Sequence, residues 1–152
     1  MFLRILLFLV INFGALALGS VFTNEGVTSA WYTELNKAPW TPPGWVFGFA
    51  WTSIMICFSV YMAMLWPRVE NKKLLVILFS VQWALNVIWN PTFFYFHKIT
   101  LALVVIIALA IMVAVILFRY IREAKWTSAL LLPYLLWLVI AISLNGYAWV
   151  RN

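Results

Sequence analysis

Charge is what this sequence has least of: Asp, Glu, Lys and Arg make up 9% of its 152 residues, against 66% hydrophobic. A soluble domain of ordinary composition is about a quarter charged, so this chain cannot coat a water-facing surface. Cysteine occurs once, which excludes an internal disulfide. Inside its apolar run, Cys57 reads as a small buried hydrophobe. Histidine also occurs once, as His97 beside Lys98, and the four acids (Glu25, Glu34, Glu70, Glu123) all fall between the long apolar runs. Paired carboxylates, nucleophilic triads and metal clusters therefore lack their parts, so conventional enzyme chemistry is poorly supported and no cofactor is required. Ion-coupled transport lacks the intramembrane charge it normally uses. The net charge of +6 comes without a basic run or an RNA-binding motif, which argues against nucleic acid as a partner.

What the sequence has is apolar runs. A transmembrane helix needs about 20 mostly apolar residues, and five stretches qualify: 2–23, 45–66, 74–96, 99–118 and 127–150. Runs such as Leu101 to Leu117 do not alternate apolar with polar, which excludes a membrane β-barrel. The expectation is an all-α membrane protein, one domain over 1–152, with five helices and one long loop, 24–44. The first run has an Arg4 flank and Ala15-Leu16-Ala17, features of a cleavable signal, but its apolar stretch continues through Phe22. That is long for a signal core, so a retained helix is expected. With five alternating spans, Arg4, Arg68, Lys72, Lys73, Arg119, Arg122 and Lys125 share one side, and Lys37, Lys98 and Arg151 the other. The positive-inside rule then places the N terminus in the cytoplasm and the C terminus outside.

Aromatic residues crowd the long loop: Trp31, Tyr32, Trp40 and Trp45 lie close to Pro39, Pro42 and Pro43. Thr41 followed by Pro42 suits an N-cap with proline in the first helical position. The aromatic residues suit either an interfacial belt or a stiffened lid over a cavity. In the third span Gln82, Asn86 and Asn90 recur every four residues, flanked by Trp83, Trp89, Phe93 and Phe94. Such amides either hold helices together or also line a cavity. Pro91 should free the carbonyl of Val87 and bend this helix. Trp137, Ala141, Asn145 and Trp149 repeat the spacing in the fifth span, and Phe47, Trp51 and Met55 share a face of the second. Ten tryptophans exceed what anchoring needs. An apolar pocket with a few convergent polar groups is the usual form of a small-molecule site.

These residues carry a resemblance. Trp31-Tyr32…Leu35…Lys37…Pro39-Trp40-Thr41-Pro42-Pro43…Trp45-Val46-Phe47…Trp51, then Gln82…Leu85-Asn86…Trp89-Asn90…Phe93-Phe94, then Pro133-Tyr134…Trp137…Leu144-Asn145 resemble the tryptophan-rich sensory protein, or translocator protein, family (TspO/MBR). The likeness covers nearly the whole chain. It implies a five-helix bundle, often a homodimer, in a bacterial cell membrane, binding porphyrins such as protoporphyrin IX or a haem-like molecule beneath the first loop. By the resemblance, Trp51 and Trp137 match pocket tryptophans, Asn86 a pocket amide, Tyr32 a loop aromatic and Ala141 a small residue facing the ligand. The full candidate set is Tyr32, Trp40, Phe47, Trp51, Gln82, Asn86, Trp89, Phe93, Trp137, Ala141 and Asn145. The resemblance leaves three activities open: sensing, transport of porphyrins or other amphiphiles, and light-dependent porphyrin breakdown through Trp51 and Trp137. Asn90-Pro91 departs from the family pattern, which expects a small polar residue after Trp89. The loose sterol-contact pattern Leu144…Tyr147…Arg151 is discounted.

Overall fold

The computed structural model describes every residue from Met1 to Asn152. Its helices are α1 (Phe2–Val27), α2 (Ala30–Glu34), α3 (Gly44–Leu65), α4 (Lys72–Phe94), α5 (Ile99–Arg119), α6 (Ile121–Ala124) and α7 (Leu132–Arg151). Five of them, α1, α3, α4, α5 and α7, lie in segments long and apolar enough to cross a membrane. The protein is an all-helical, five-span integral membrane protein. Outward-facing Ile111, Leu136 and Val139 are each more than half exposed, a surface that only hydrocarbon solvates well.

The first helix is longer than its apolar run suggested. Its 26 residues rise about 39 Å at 1.5 Å each, against a hydrocarbon core of about 30 Å. The surplus carries its last turn towards the long loop. Its buried face is Phe8, Asn12, Ala15, Gly19 and Gly26, one stripe at helical spacing. A Cβ on Gly26 would stand 2.5 Å from Phe94, and one on Gly19 2.5 Å from the Asn90 amide. Gly19 and Gly26 therefore let α1 and α4 approach closely within the chain. Thr23 Oγ1 donates to Asn90 Oδ1 at 2.8 Å, Trp83 Nε1 to the Ile11 carbonyl at 3.0 Å, and Asn12 Nδ2 to Ser59 Oγ at 2.8 Å. These bonds and the buried stripe make α1 a working member of the bundle.

Three local expectations need correction. Thr41 does not cap α3: its hydroxyl and its backbone N–H both bond the Ala38 carbonyl, at 2.7 and 2.9 Å. A proline disfavours helical geometry in the residue before it, so Pro43 keeps Pro42 out of the helix. Pro43 is itself the N-cap, with an extended ψ of 149°, and α3 begins at Gly44. The last span starts at Leu132 instead of 127, because Lys125–Leu131 winds as a 3-10 turn closed by Thr127 Oγ1 on the Ala124 carbonyl. Cys57 is half-buried rather than buried.

Pro91 does not end α4, which continues to Phe94. Asn90 Nδ2 donates to the Asn86 carbonyl and Thr92 Oγ1 to the Ile88 carbonyl. These bonds bracket the carbonyl that Pro91 leaves without its usual partner. The chain then leaves α4 through His97, whose φ of 53° is left-handed, a conformation uncommon outside glycine. Its ring stacks on Trp31 at 4.2 Å and 16°, so the exit from α4 is fastened to the long loop.

Candidate functional site

The loop after α1 folds back over the bundle as a lid. Ser29 begins its short helix by accepting from the Tyr32 N–H. Leu35 and Ala38 are buried beneath it. Its middle is clasped to the end of α7. The Asn36 N–H donates to Asn152 Oδ1 at 2.9 Å, and the Asn152 amide donates back to the Asn36 carbonyl at 3.3 Å. Lys37 reaches across the lid, donating to the Tyr32 carbonyl at 2.9 Å with its ammonium 4.5 Å above the Tyr32 ring. Burial pushes the Tyr32 phenol above its ordinary pKa.

Under the lid lies a narrow cleft of about 60 Å³. Tyr32, Lys37 and Thr41 come from the lid, Phe47 from α3, Trp89, Phe93 and Phe94 from α4, and Ala141, Leu144, Asn145 and Ala148 from α7. Its floor is an aromatic stack. Trp89 lies parallel to Phe93 at 5.7 Å and edge-on to Phe94 at 5.8 Å, and Trp31 closes on Phe93 at 5.4 Å. Parallel and edge-on pairs are the favoured arrangements of aromatic quadrupoles.

Six of the eleven expected residues meet at this cleft: Tyr32, Phe47, Trp89, Phe93, Ala141 and Asn145. The other five stand elsewhere. Trp137 packs edge-on against Phe47 at 5.3 Å, one layer behind the wall. Trp51 sits against Tyr134 at 6.0 Å. Gln82 Nε2 donates to the Tyr134 hydroxyl at 2.8 Å, joining α4 to α7. Asn86 is buried but does not line the cleft. Trp40 is 54% exposed, its Nε1 bonded to Ser143 Oγ at 3.2 Å on the outer face of α7. Trp45 is 73% exposed. The loop aromatics thus divide, with Trp31 and Tyr32 in the lid and Trp40 and Trp45 facing outward as belt residues do. Trp149 is half exposed, and Ala148 takes the inward position; the stripe on α7 is 141, 145, 148, as 3.6 residues per turn requires.

Leu35, Lys37, Ala38, Thr41, Phe94, Leu144 and Ala148 were missed as lining residues. Phe94 and Leu144 had a readable signal in the runs Phe93-Phe94 and Leu144-Asn145. The small lid residues had none, because their place depends on how the loop folds back.

Two residues that line the cleft bury a polar atom without a partner, Trp89 Nε1 and Asn145 Oδ1, and Trp137 Nε1 is likewise unpartnered behind Phe47. An unpartnered buried polar group costs about 1–3 kcal/mol, and most native ones have a partner. A donor and an acceptor on one aromatic cleft, with a second donor behind Phe47, suit a flat apolar guest with polar edges.

The sequence of the whole chain decides the family. Residues 6–150 match the TspO/MBR family. The chain belongs to it. The tryptophan-rich sensory protein of Cereibacter sphaeroides is 35% identical over 122 residues, 80% of this chain and 77% of that protein. The tryptophan-rich protein TspO of Archaeoglobus fulgidus is 36% identical over 135 residues, 88% of this chain and 87% of that one. The human translocator protein is 30% identical over 139 residues, with 88% and 81% covered. Within the TspO/MBR chain described here, Asn90 fills the space over Gly19 and bonds Thr23. The departure noted after Trp89 is therefore a link between α1 and α4.

Proposed function

We propose that this protein binds a tetrapyrrole, of the protoporphyrin IX or haem type, in the lid cleft and acts as a membrane sensor or receptor for it. The observation that carries the reading is an aromatic stack beside two lining residues with unpartnered buried polar atoms, Trp89 Nε1 and Asn145 Oδ1. A macrocycle offers a π face to Trp89 and Phe93 and carboxylates or ring nitrogens to those atoms. Trp137 then acts from behind Phe47, as a donor reached when that ring turns.

The cleft at about 60 Å³ is far below the 300–1,000 Å³ of a drug-sized site. Binding must therefore part the lid from α4 and α7, breaking the Asn36–Asn152 clasp. We take the lid to face outside and the seven-cation face to be cytoplasmic, in a bacterial cell membrane. The same reading carries a homodimer. Its contact would come from outward apolar faces, since Gly19 is already engaged with Asn90.

Titrating the purified protein with protoporphyrin IX tests the site. The expected result is saturable quenching of tryptophan fluorescence, weakened at least about tenfold by Ala141→Leu, which fills the cleft, an effect of about 1.4 kcal/mol. Unchanged affinity in that variant, with helicity intact, would remove the cleft as the site. Protein-dependent porphyrin flux in sealed vesicles would favour transport over sensing. Faster bleaching of bound than of free porphyrin under light would favour breakdown through Trp51 and Trp137.

A further inference from the structure

A second, larger cavity lies at the opposite end of the molecule from the lid. It is a groove of about 510 Å³ between α1, α4 and the end of α3. Leu7 and Phe8 form one wall, Phe79 and Trp83 the other, and Trp66 closes it. Arg4 and Ser80 are its only polar lining residues. Leu7 and Val76, both on its rim, are 56% and 45% exposed, so the groove opens sideways from the bundle. The Trp83 N–H is already given to the Ile11 carbonyl. From Arg4 to Ile11 it runs about 10 Å along α1.

The mouth is the charged part. Lys72, at the start of α4, holds its ammonium 5.8 Å over the Trp66 ring and donates to the Val69 carbonyl. Neither Arg4 nor Lys72 has a carboxylate partner, since the single ion pair is Arg119–Glu123. Two uncompensated cations thus stand over an apolar groove that faces lipid. They belong to the seven-cation face of the molecule.

We propose that the groove holds an acyl chain of an anionic glycerophospholipid, with its phosphate between Arg4 and Lys72. The apolar walls match the chain, and the cations match a head group that carries net negative charge. A zwitterionic lipid presents the same chain but offsets its phosphate with an ammonium. The selectivity therefore resides in Arg4 and Lys72.

Native mass spectrometry of the intact protein, released from nanodiscs of equal phosphatidylglycerol and phosphatidylcholine, reads this directly. A basic residue near a membrane surface contributes about fivefold in affinity for anionic lipid. The proposal expects retained phosphatidylglycerol to exceed phosphatidylcholine by at least about fivefold. It expects Arg4→Gln with Lys72→Gln to abolish that excess, while Arg122→Gln with Lys125→Gln, equal in charge and away from the groove, keeps it. As a second reading, brominated phosphatidylglycerol should quench the wild type more than Trp83→Phe. Equal retention of the two lipids overturns the proposal. So does equal loss in both double variants, which means diffuse attraction, or a dimer that retains no lipid, which means a second copy fills the groove.

Discussion

At the scale of single residues, the lid cleft combines stacking faces with very few charges. Lys37 is its only charged lining residue. The side chain is tethered to the Tyr32 carbonyl, and a carboxylate-bearing guest would offer it a stronger partner. Lys37→Gln should weaken protoporphyrin IX about fivefold, from a partly exposed ion pair of about 1 kcal/mol. The same change should leave the porphyrin dimethyl ester unaffected. Parallel titrations of the acid and the ester check this, and equal losses for both would assign Lys37 to holding the lid. The amide stripe on α4 shows how one spacing serves several ends. Gln82 bonds α7 through Tyr134 and Asn90 bonds α1 through Thr23. Asn86, between them, is buried and has neither helix as its partner.

At the scale of elements, glycine on α1 decides how closely the first and third spans approach. Gly26 meets the Phe94 ring and Cβ, whereas Gly14 has nothing within 4 Å of an added Cβ. Gly26→Ala should therefore destabilise by about 1–3 kcal/mol through overpacking. Gly14→Ala should stabilise by about 0.4–1 kcal/mol, by restricting the unfolded chain. Reversible unfolding in mixed micelles measures both, and changes of the same sign would contradict the packing described. Element identity was readable because a run such as Ile99–Arg119 has one physical use, to sit in hydrocarbon. Boundaries were less readable. Thr41-Pro42-Pro43 supports two helix starts on local chemistry, and only the steric bar on a residue before proline separates them. Val27, well past the last unbroken apolar stretch, is helical because Gly26 packs on Phe94, a contact 68 positions away that no window along the chain contains.

At the scale of the whole molecule, the lid cleft and the groove under Arg4 occupy opposite ends of one bundle, and the sequence signalled them unequally. The lid cleft announced itself through aromatic, amide and small residues at helical spacing and in the long loop, and six of the eleven expected residues, four of them aromatic, meet there. Trp51 and Trp137 were drawn towards it by helical spacing as well as by resemblance, while the fold packs them against Tyr134 and Phe47, outside its lining. Helical spacing says which residues share a face. It does not say how far along that face a neighbouring helix stops. The groove under Arg4 gave no signal, since its lining residues are ordinary lipid-facing apolar ones until three helices are set side by side.

The central claim is that a ligand reaches the aromatic cleft only when the lid lifts from α7. The Asn36–Asn152 clasp allows this to be tested within one protein. With Cys57→Ser to remove the native thiol, Asn36→Cys and Asn152→Cys should form a disulfide across the clasp. The rate of protoporphyrin IX binding, followed by tryptophan quenching, should fall at least about tenfold on oxidation, a barrier of about 1.4 kcal/mol, and recover fully on reduction. Binding as fast in the oxidised as in the reduced protein would contradict the account.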